Sequence, residues 1–468
     1  MRTRRDQVQA YRFVTRRIVS AMLSGEPEAV ERPMRRLGLS VLASAMVAAL
    51  LVAAAGIWGL VTNQGREFGD QDLLVIEADT FTRYVYLDGH LHPVTNLASI
   101  RLILNDPTPD LRRNVSPGTL REVPRGPTLG IADAPDALPD AEDLVGPPWR
   151  LCSVPPTAES PRPQTTLVMG EEVPAGDGLG DEALYVSDGD TRYLLLDNRL
   201  LRIMHDVAPV ALGLSAVSPT EIGTPLVNAI MTGPDLDVVR PPGFGENTDV
   251  EINDQVAQVG SIYFTAGQHY VMTRDGLQPL GEMTVALQTS IGAAEVRDIT
   301  GGEVSRYQFT NEALEPDGYP LQVPEMHTAA GQSPTICAVY RGGNAGGAMT
   351  EVELYPFPPE GLAPSMQLRQ TGRDVVAAAD RLRLRPGHGA LVRAAGPTGQ
   401  VTGAATVYLV TDAGVKFPIS TPEAQAALGY RGVEPTPVPS DLLELIPTGS
   451  TLDIDAARQV TDSVPVSR

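Results

Sequence analysis

Thr82–Val94 reads TRYVYLDGHLHPV, and the chain repeats that pattern three more times. The second copy is TRYLLLDNRLLRI (Thr191–Ile203), the third QHYVMTRDGLQPL (Gln268–Leu280) and the fourth TVYLVTDAGVKFPI (Thr406–Ile419). In each, a tyrosine (Tyr84, Tyr193, Tyr270 or Tyr408) heads a β-prone run, a turn follows, and a second short run comes after it. The turns are Asp88-Gly89, Asp197-Asn198, Asp275-Gly276 and Asp412-Ala413-Gly414. Gly and Asn accept the positive φ of turn types I′ and II′, so every copy predicts a β-hairpin.

Working outward, the flanks repeat as well. PRGPTL (Pro124–Leu129) follows the first copy and PTGSTL (Pro447–Leu452) the fourth. Ala-rich stretches such as Thr421–Leu428 predict short helices capped by Thr or Ser. Each copy thus reads as a small α+β module. The turn aspartates lie 109, 78 and 137 residues apart, which excludes a solenoid of constant period. Inserts separate copies one and two, and copies three and four, and each insert carries one of the two cysteines, Cys152 and Cys337. The order repeat, insert, repeat, repeat, insert, repeat predicts a pseudo-two-fold arrangement in which the inserts meet as one β-rich central domain.

Charge divides the chain more sharply than length does. Residues 1–36 hold nine Arg against four acids, Leu37–Val61 (LGLSVLASAMVAALLVAAAGIWGLV) holds no charge, and the remainder carries −26 of the overall −21. A 25-residue apolar helix is about 37 Å long, enough to cross a bilayer core. Arginine before it and an acidic region after it place the N-terminus in the cytoplasm. A cleaved signal peptide would have a shorter apolar run and rarely so long a prefix. Two cysteines on the far side of the membrane are expected to pair, the alternative being two buried thiols.

The expected division is 1–36 basic amphipathic segment, 37–61 transmembrane helix, 70–130 first module and 131–180 first part of the central domain. Then come 181–245 second module, 250–305 third module, 306–398 second part of the central domain, 399–455 fourth module and 456–468 flexible tail. The fold class is α+β: one transmembrane helix followed by an elongated extracytoplasmic region of four modules around the central domain.

Chemistry is sparse. The single Lys, Lys416, lies in GVKFPI on an expected strand, so no Walker A cradle exists. RGGNAGGAM (Arg341–Met349) lacks the Lys-Ser or Lys-Thr of a phosphate loop and reads as a mobile loop. RPGHGALV (Arg385–Val392) reads as turn chemistry with His388 at its tip. His90 and His92 share a strand face and could bind metal only with outside help. No catalytic residue, metal site or cofactor is expected. Net acidity excludes nucleic-acid binding. From Asp6 to Ser24, Val8, Tyr11, Val14, Ile18 and Met22 form a helical apolar stripe, with Arg12, Arg16 and Arg17 among them. That pattern suits a helix on anionic lipid and equally one docked on a partner.

RDQVQAYRFVTRRIVSAML (Arg5–Leu23), a single anchor, four YLxTDxG-type repeats and RPGHGALV together resemble the EccB family, a core membrane subunit of the actinobacterial type VII (ESX) secretion system. The resemblance implies a structural role in a channel complex with EccC, EccD, EccE and the mycosin protease, with self-association. It also implies a disulfide-linked central domain and a docking role for Tyr11, Arg12, Val14, Arg16, Arg17 and Ile18. Some family members are described as ATPases, which leaves an extracytoplasmic hydrolase as an alternative. Wall binding is a further one, although Trp149 is the only Trp beyond the anchor.

Overall fold

The computed structural model describes residues 4–25, 33–62, 71–171, 173–205, 208–215, 217–292, 295–327, 333–342, 350–359, 362, 366–368, 378–396, 400–401 and 405–461. They form two compact units, one of Met1–Thr82, Tyr86–Leu91 and Arg112–Arg125, the other of Arg83–Val85, His92–Leu111 and Gly126–Arg468.

Among its described residues the first unit holds two long helices, the short helix Pro117–Arg121 and the greater part of a four-stranded sheet. Helix α1 spans Arg4–Ser24. It contains no Gly or Pro, and it stops at Gly25, whose φ of 69° is left-handed and whose N–H closes on the Ala21 carbonyl. Helix α2 spans Pro33–Thr62. Its segment Gly38–Ile57 is apolar all round, and none of it is buried. The sheet order is His90–Pro93, Arg83–Leu87, Leu73–Glu77, Leu111–Val115. A three-stranded meander is thus extended by a fourth strand lying beside the first.

That plan recurs in the second unit. Leu277–Leu280, Gln268–Met272, Ile262–Thr265 and Val296–Asp298 follow it, as do Lys416–Ile419, Val407–Thr411, Gly389–Ala395 and Thr436–Pro439. In both, the fourth strand runs parallel to the first. A parallel return needs a crossover, and helices Glu282–Ser290 and Pro422–Gln425 fall in these crossovers. The sheet around Leu184–Asp188, Thr191–Leu196 and Arg199–Arg202 adds a parallel strand at each edge.

The matching flanks do the same job in the first and fourth copies. Leu91 bridges Arg125 and Val94 bridges Leu129, while Lys416 bridges Thr448 and Ile419 bridges Leu452. Gly126 and Gly449 occupy equivalent places, against the rings of His92 and Phe417 respectively. A Cβ at either glycine would fall within the ring contact distance. Gly449→Ala and Gly126→Ala are each expected to cost about 1–3 kcal/mol through overpacking, read as a lower denaturation midpoint.

The two inserts meet in a six-stranded sheet of order Glu351–Tyr355, Thr335–Tyr340, Trp149–Val154, Gln164–Met169, Arg381–Arg383, Met366–Gln367. One face carries Trp149, Leu151, Leu167, Ile336 and Tyr340 into a core shared with Val186 and Leu195 of the second copy's sheet and Val392 and Val410 of the fourth's. The other face buries Cys152, Val168, Cys337, Val339 and Tyr355. Burial on both faces explains why TICAVY is apolar almost throughout and why neither it nor WRLCSV alternates buried with exposed positions.

Several expected boundaries move. Gly389–Ala395, placed by sequence in the second part of the central domain, is a strand of the fourth copy's sheet. RPGHGALV carries turn residues and an apolar run together, and its turn half hid its strand half. Residues 131–136, assigned to the central domain, instead cap the helix α3 (Leu97–Leu104): Asn96 Nδ2 donates to Ile131 O, and Asp136 accepts from Leu97 N. Residues 308–321, likewise assigned to the central domain, pack on the third copy, where Phe309 N donates to Leu277 O and Glu315 accepts from Gly281 N. The tail expected to be flexible from 456 begins as helix Ile454–Ala457. Beyond it, Arg458 donates to Ile103 O and Thr461 N to Thr128 O, so the segment closes on α3 and its neighbours. Residues 462–468 lie outside the described residues, as does 343–349 of the Gly-rich run.

Candidate anchoring and assembly sites

Helix α1 presents its stripe to solvent. Val8, Tyr11, Val14, Ile18 and Met22 are all exposed, at 53%, 75%, 52%, 52% and 83%. Arg12, Arg16 and Arg17 are exposed on the same helix. Apolar side chains left bare in this way mark a surface that something else covers. In α2 the hydroxyl of Ser44 donates to Ser40 O at 2.7 Å, so the polar atom is satisfied inside the helix, as a bilayer interior demands.

The central junction is covalent. Cys152 and Cys337 face each other in register on adjacent antiparallel strands and form a disulfide. Beside it lies a polar group that sequence reasoning missed. Arg150 and Glu353 are buried, with Arg150 Nε 3.6 Å from Glu353 Oε2. Glu353 also accepts from Tyr355 Oη at 2.6 Å, from Gly176 N, and from Arg341. Burial first, then the hydrogen bond and charge of Glu353, push the Tyr355 phenol up to about 12. The signal was a charge inside each of the runs WRLCSV and EVELY, which otherwise read as buried strands.

The repeat turns differ in form. Asp88 and Gly89 have φ of 50° and 78°, and Asp197 and Asn198 have 50° and 58°, the type I′ pattern. Asp275-Gly276 is not such a turn: only Gly276 has positive φ, and Thr273 N and Oγ1 both donate to Gly276 O across a four-residue loop. The threonine hydroxyl stabilises the longer loop, overriding the Asp-Gly signal. At Asp412-Ala413-Gly414 four residues, 412–415, again separate the strands, with Gly414 at φ 74° and Thr411 N donating to Val415 O. Two of these turns reach other elements. Asn198 Oδ1 accepts from Val352 N on the central sheet's edge strand at 2.8 Å, and Asp412 Oδ2 accepts from Gly387 N at 2.7 Å.

Lys416 is buried, and its ammonium donates to the carbonyls of Leu443 and Ile446. These carbonyls end the helix Ser440–Glu444, where a cation offsets the macrodipole. His92 Nδ1 donates to Pro127 O, and His90 Nδ1 to Asp88 O, so both rings are engaged locally. His327 lies 2.6 Å from Glu182, and His205 2.6 Å from Asp237. Among the described residues, no group of three or more His, Cys, Asp or Glu is arranged to hold a metal.

With this geometry in place, similarity to known proteins is informative. Residues 1–466 match the family described as "Type VII secretion system ESX-1, transport TM domain B". The chain is 28% identical to "ESX-3 secretion system ATPase EccB3" of Mycolicibacterium smegmatis, over 98% of this chain and 91% of that protein. Its fold resembles a chain of the "Structure of EccB3 dimer from the ESX-3 core complex", with TM-score 0.62, 25% identity and coverage of 83% of this chain and 100% of that one. A chain of an intact ESX-5 inner membrane complex is similar too, at TM-score 0.61 and 23% identity, covering 100% of this chain and 97% of that one. An N-terminal apolar helix followed by several small sheets, matched along its whole length, shows that the chain belongs to the EccB family of type VII secretion transport proteins.

Proposed function

We propose that this chain is a structural core subunit of a type VII secretion membrane complex, carried above all by the family match over residues 1–466. In this reading α2 spans the inner membrane, residues before it are cytoplasmic, and the acidic region assembles on the periplasmic face. The four copies and the disulfide-joined central sheet supply the surfaces for that assembly. Tyr11, Arg12, Val14, Arg16, Arg17 and Ile18 are its docking residues on the other side. EccC, EccD, EccE and the mycosin protease are the expected neighbours. Self-association is supported by the relative described as a dimer. Purification from native membranes in mild detergent through a C-terminal tag is expected to recover a large assembly containing a motor ATPase. Recovery of the chain alone would overturn the reading.

The relatives' own names carry a second reading, because several are called ATPases. One observation weighs against hydrolysis by this chain, and another against wall binding. Its sole lysine is enclosed, with its ammonium on backbone carbonyls, and so cannot reach a nucleotide phosphate. Trp149, at 1% exposed, is likewise closed to sugar stacking in a wall-binding role. The purified chain is expected to hydrolyse ATP no faster than a buffer blank. A turnover that survives removal of every co-purifying subunit would restore the enzymatic reading.

A further inference from the structure

We propose that the surface on which α1 docks is the anionic lipid leaflet beside the chain's own spanning helix. This rests on the reading that α2 crosses the membrane, and it names the partner of the docking residues. At about 100° per residue, Val8, Tyr11, Val14, Ile18 and Met22 share an arc of roughly 120°. All five are exposed. Arg12 and Arg5 follow one border of that arc and Arg17 lies beyond the other, while Arg16 and Gln9 lie across the helix from it. The helix carries five Arg against the single acid Asp6. Arginines bordering an apolar arc suit a helix lying in the headgroup plane: apolar side chains enter the acyl region while guanidinium groups reach sideways to phosphates.

Covalent geometry adds to this. Only residues 25–32 separate Ser24 from Pro33, so the end of α1 stays within about 30 Å of the start of α2. Once α2 is inserted, lipid contact by α1 is an intramolecular event at high effective concentration. A polypeptide partner must instead be met by diffusion. An anionic leaflet complements the net charge of the helix, and each arginine near such a surface strengthens binding severalfold.

The test uses the full chain in nanodiscs of phosphatidylcholine with or without phosphatidylglycerol. Nitroxide labels are placed by Val14→Cys, Ile18→Cys or Gln9→Cys; the native cysteines are bonded to each other and take no label. In anionic discs, labels at 14 and 18 are expected to favour contact with oxygen over a water-soluble nickel chelate, and the label at 9 the reverse. Arg5→Gln with Arg12→Gln is expected to lower the bound-to-free ratio of α1 about thirtyfold. Labels at 14 and 18 open to nickel in anionic discs would overturn the proposal, as would equal binding to neutral discs. Shielding that arises only when the other secretion subunits are added would also overturn it, assigning the arc to a protein. The assembly experiment is read separately, on co-purifying subunits, so either result can fail without the other.

Discussion

Glu353→Ala is expected to destabilise the central sheet by about 3–5 kcal/mol. Arg150 is nearly enclosed, with a side chain 5% exposed against 6% for Glu353. Removing the carboxylate leaves a buried guanidinium without a counter-charge, and the Tyr355 hydroxyl loses an acceptor. The measurement is chemical denaturation followed by the fluorescence of Trp149, which lies in the same sheet next to Arg150. Replacing both partners, Arg150→Met with Glu353→Met, is expected to recover much of the loss, because no charge is then left buried. A full loss in the double variant would show that packing, not charge, holds the site. Tyr355 gives a second readout. Its phenol is raised to about 12, so its share of stability is present below pH 10 and lost as pH rises through 12. Without Glu353 that alkaline transition should move down while staying above the ordinary value, since burial is the larger cause.

Cys152→Ala with Cys337→Ala is the second large effect. The bridge spans a sequence separation of 185 residues, which in the chain-entropy picture corresponds to at most about 5 kcal/mol. Alanine adds no buried hydroxyl, so the loss reads the cross-link together with a small cavity. The same Trp149 signal in denaturant should show a lower midpoint for the sheet. Because both cysteines are 0% exposed, reductant is expected to leave the folded chain unchanged and to act only once denaturant opens the sheet. An unchanged midpoint in the double variant would mean that the core of Trp149, Leu151, Ile336 and Tyr340 holds the inserts together unaided.

The hairpins at Asp88-Gly89 and Asp197-Asn198 were legible because turn geometry is a local matter of φ at two residues. The third was misread in type because the Thr273 hydroxyl, two residues upstream, redirects the loop. The first and fourth strands of the modules were not legible from the repeat. They are short, and what fixes them is pairing in parallel with partners about 35–45 residues away, as Val392 pairs with Thr436. Arg458 and Thr461 looked like loose tail residues because nothing local orders them; their partners, Ile103 and Thr128, lie more than 300 residues upstream. The apolar arc of α1 was fully legible, since a helical period needs only the residues themselves.

By itself the sequence determined an α+β chain with one apolar segment able to span a membrane, four related hairpins, two inserts and a pair of cysteines. Each is written in spacing, in charge or in the chemistry of adjacent residues. The meeting of the inserts and the pairing of the cysteines were expected from the sequence too. Tertiary structure alone decided the six-strand order, the register that sets Cys152 opposite Cys337, and the enclosure of Arg150 against Glu353. It also decided that Lys416, a surface charge by composition, ends as an enclosed cap on the carbonyls of Leu443 and Ile446. The reason is physical: pairing across long separations and the burial of charge depend on which distant segments meet, and no local pattern encodes that.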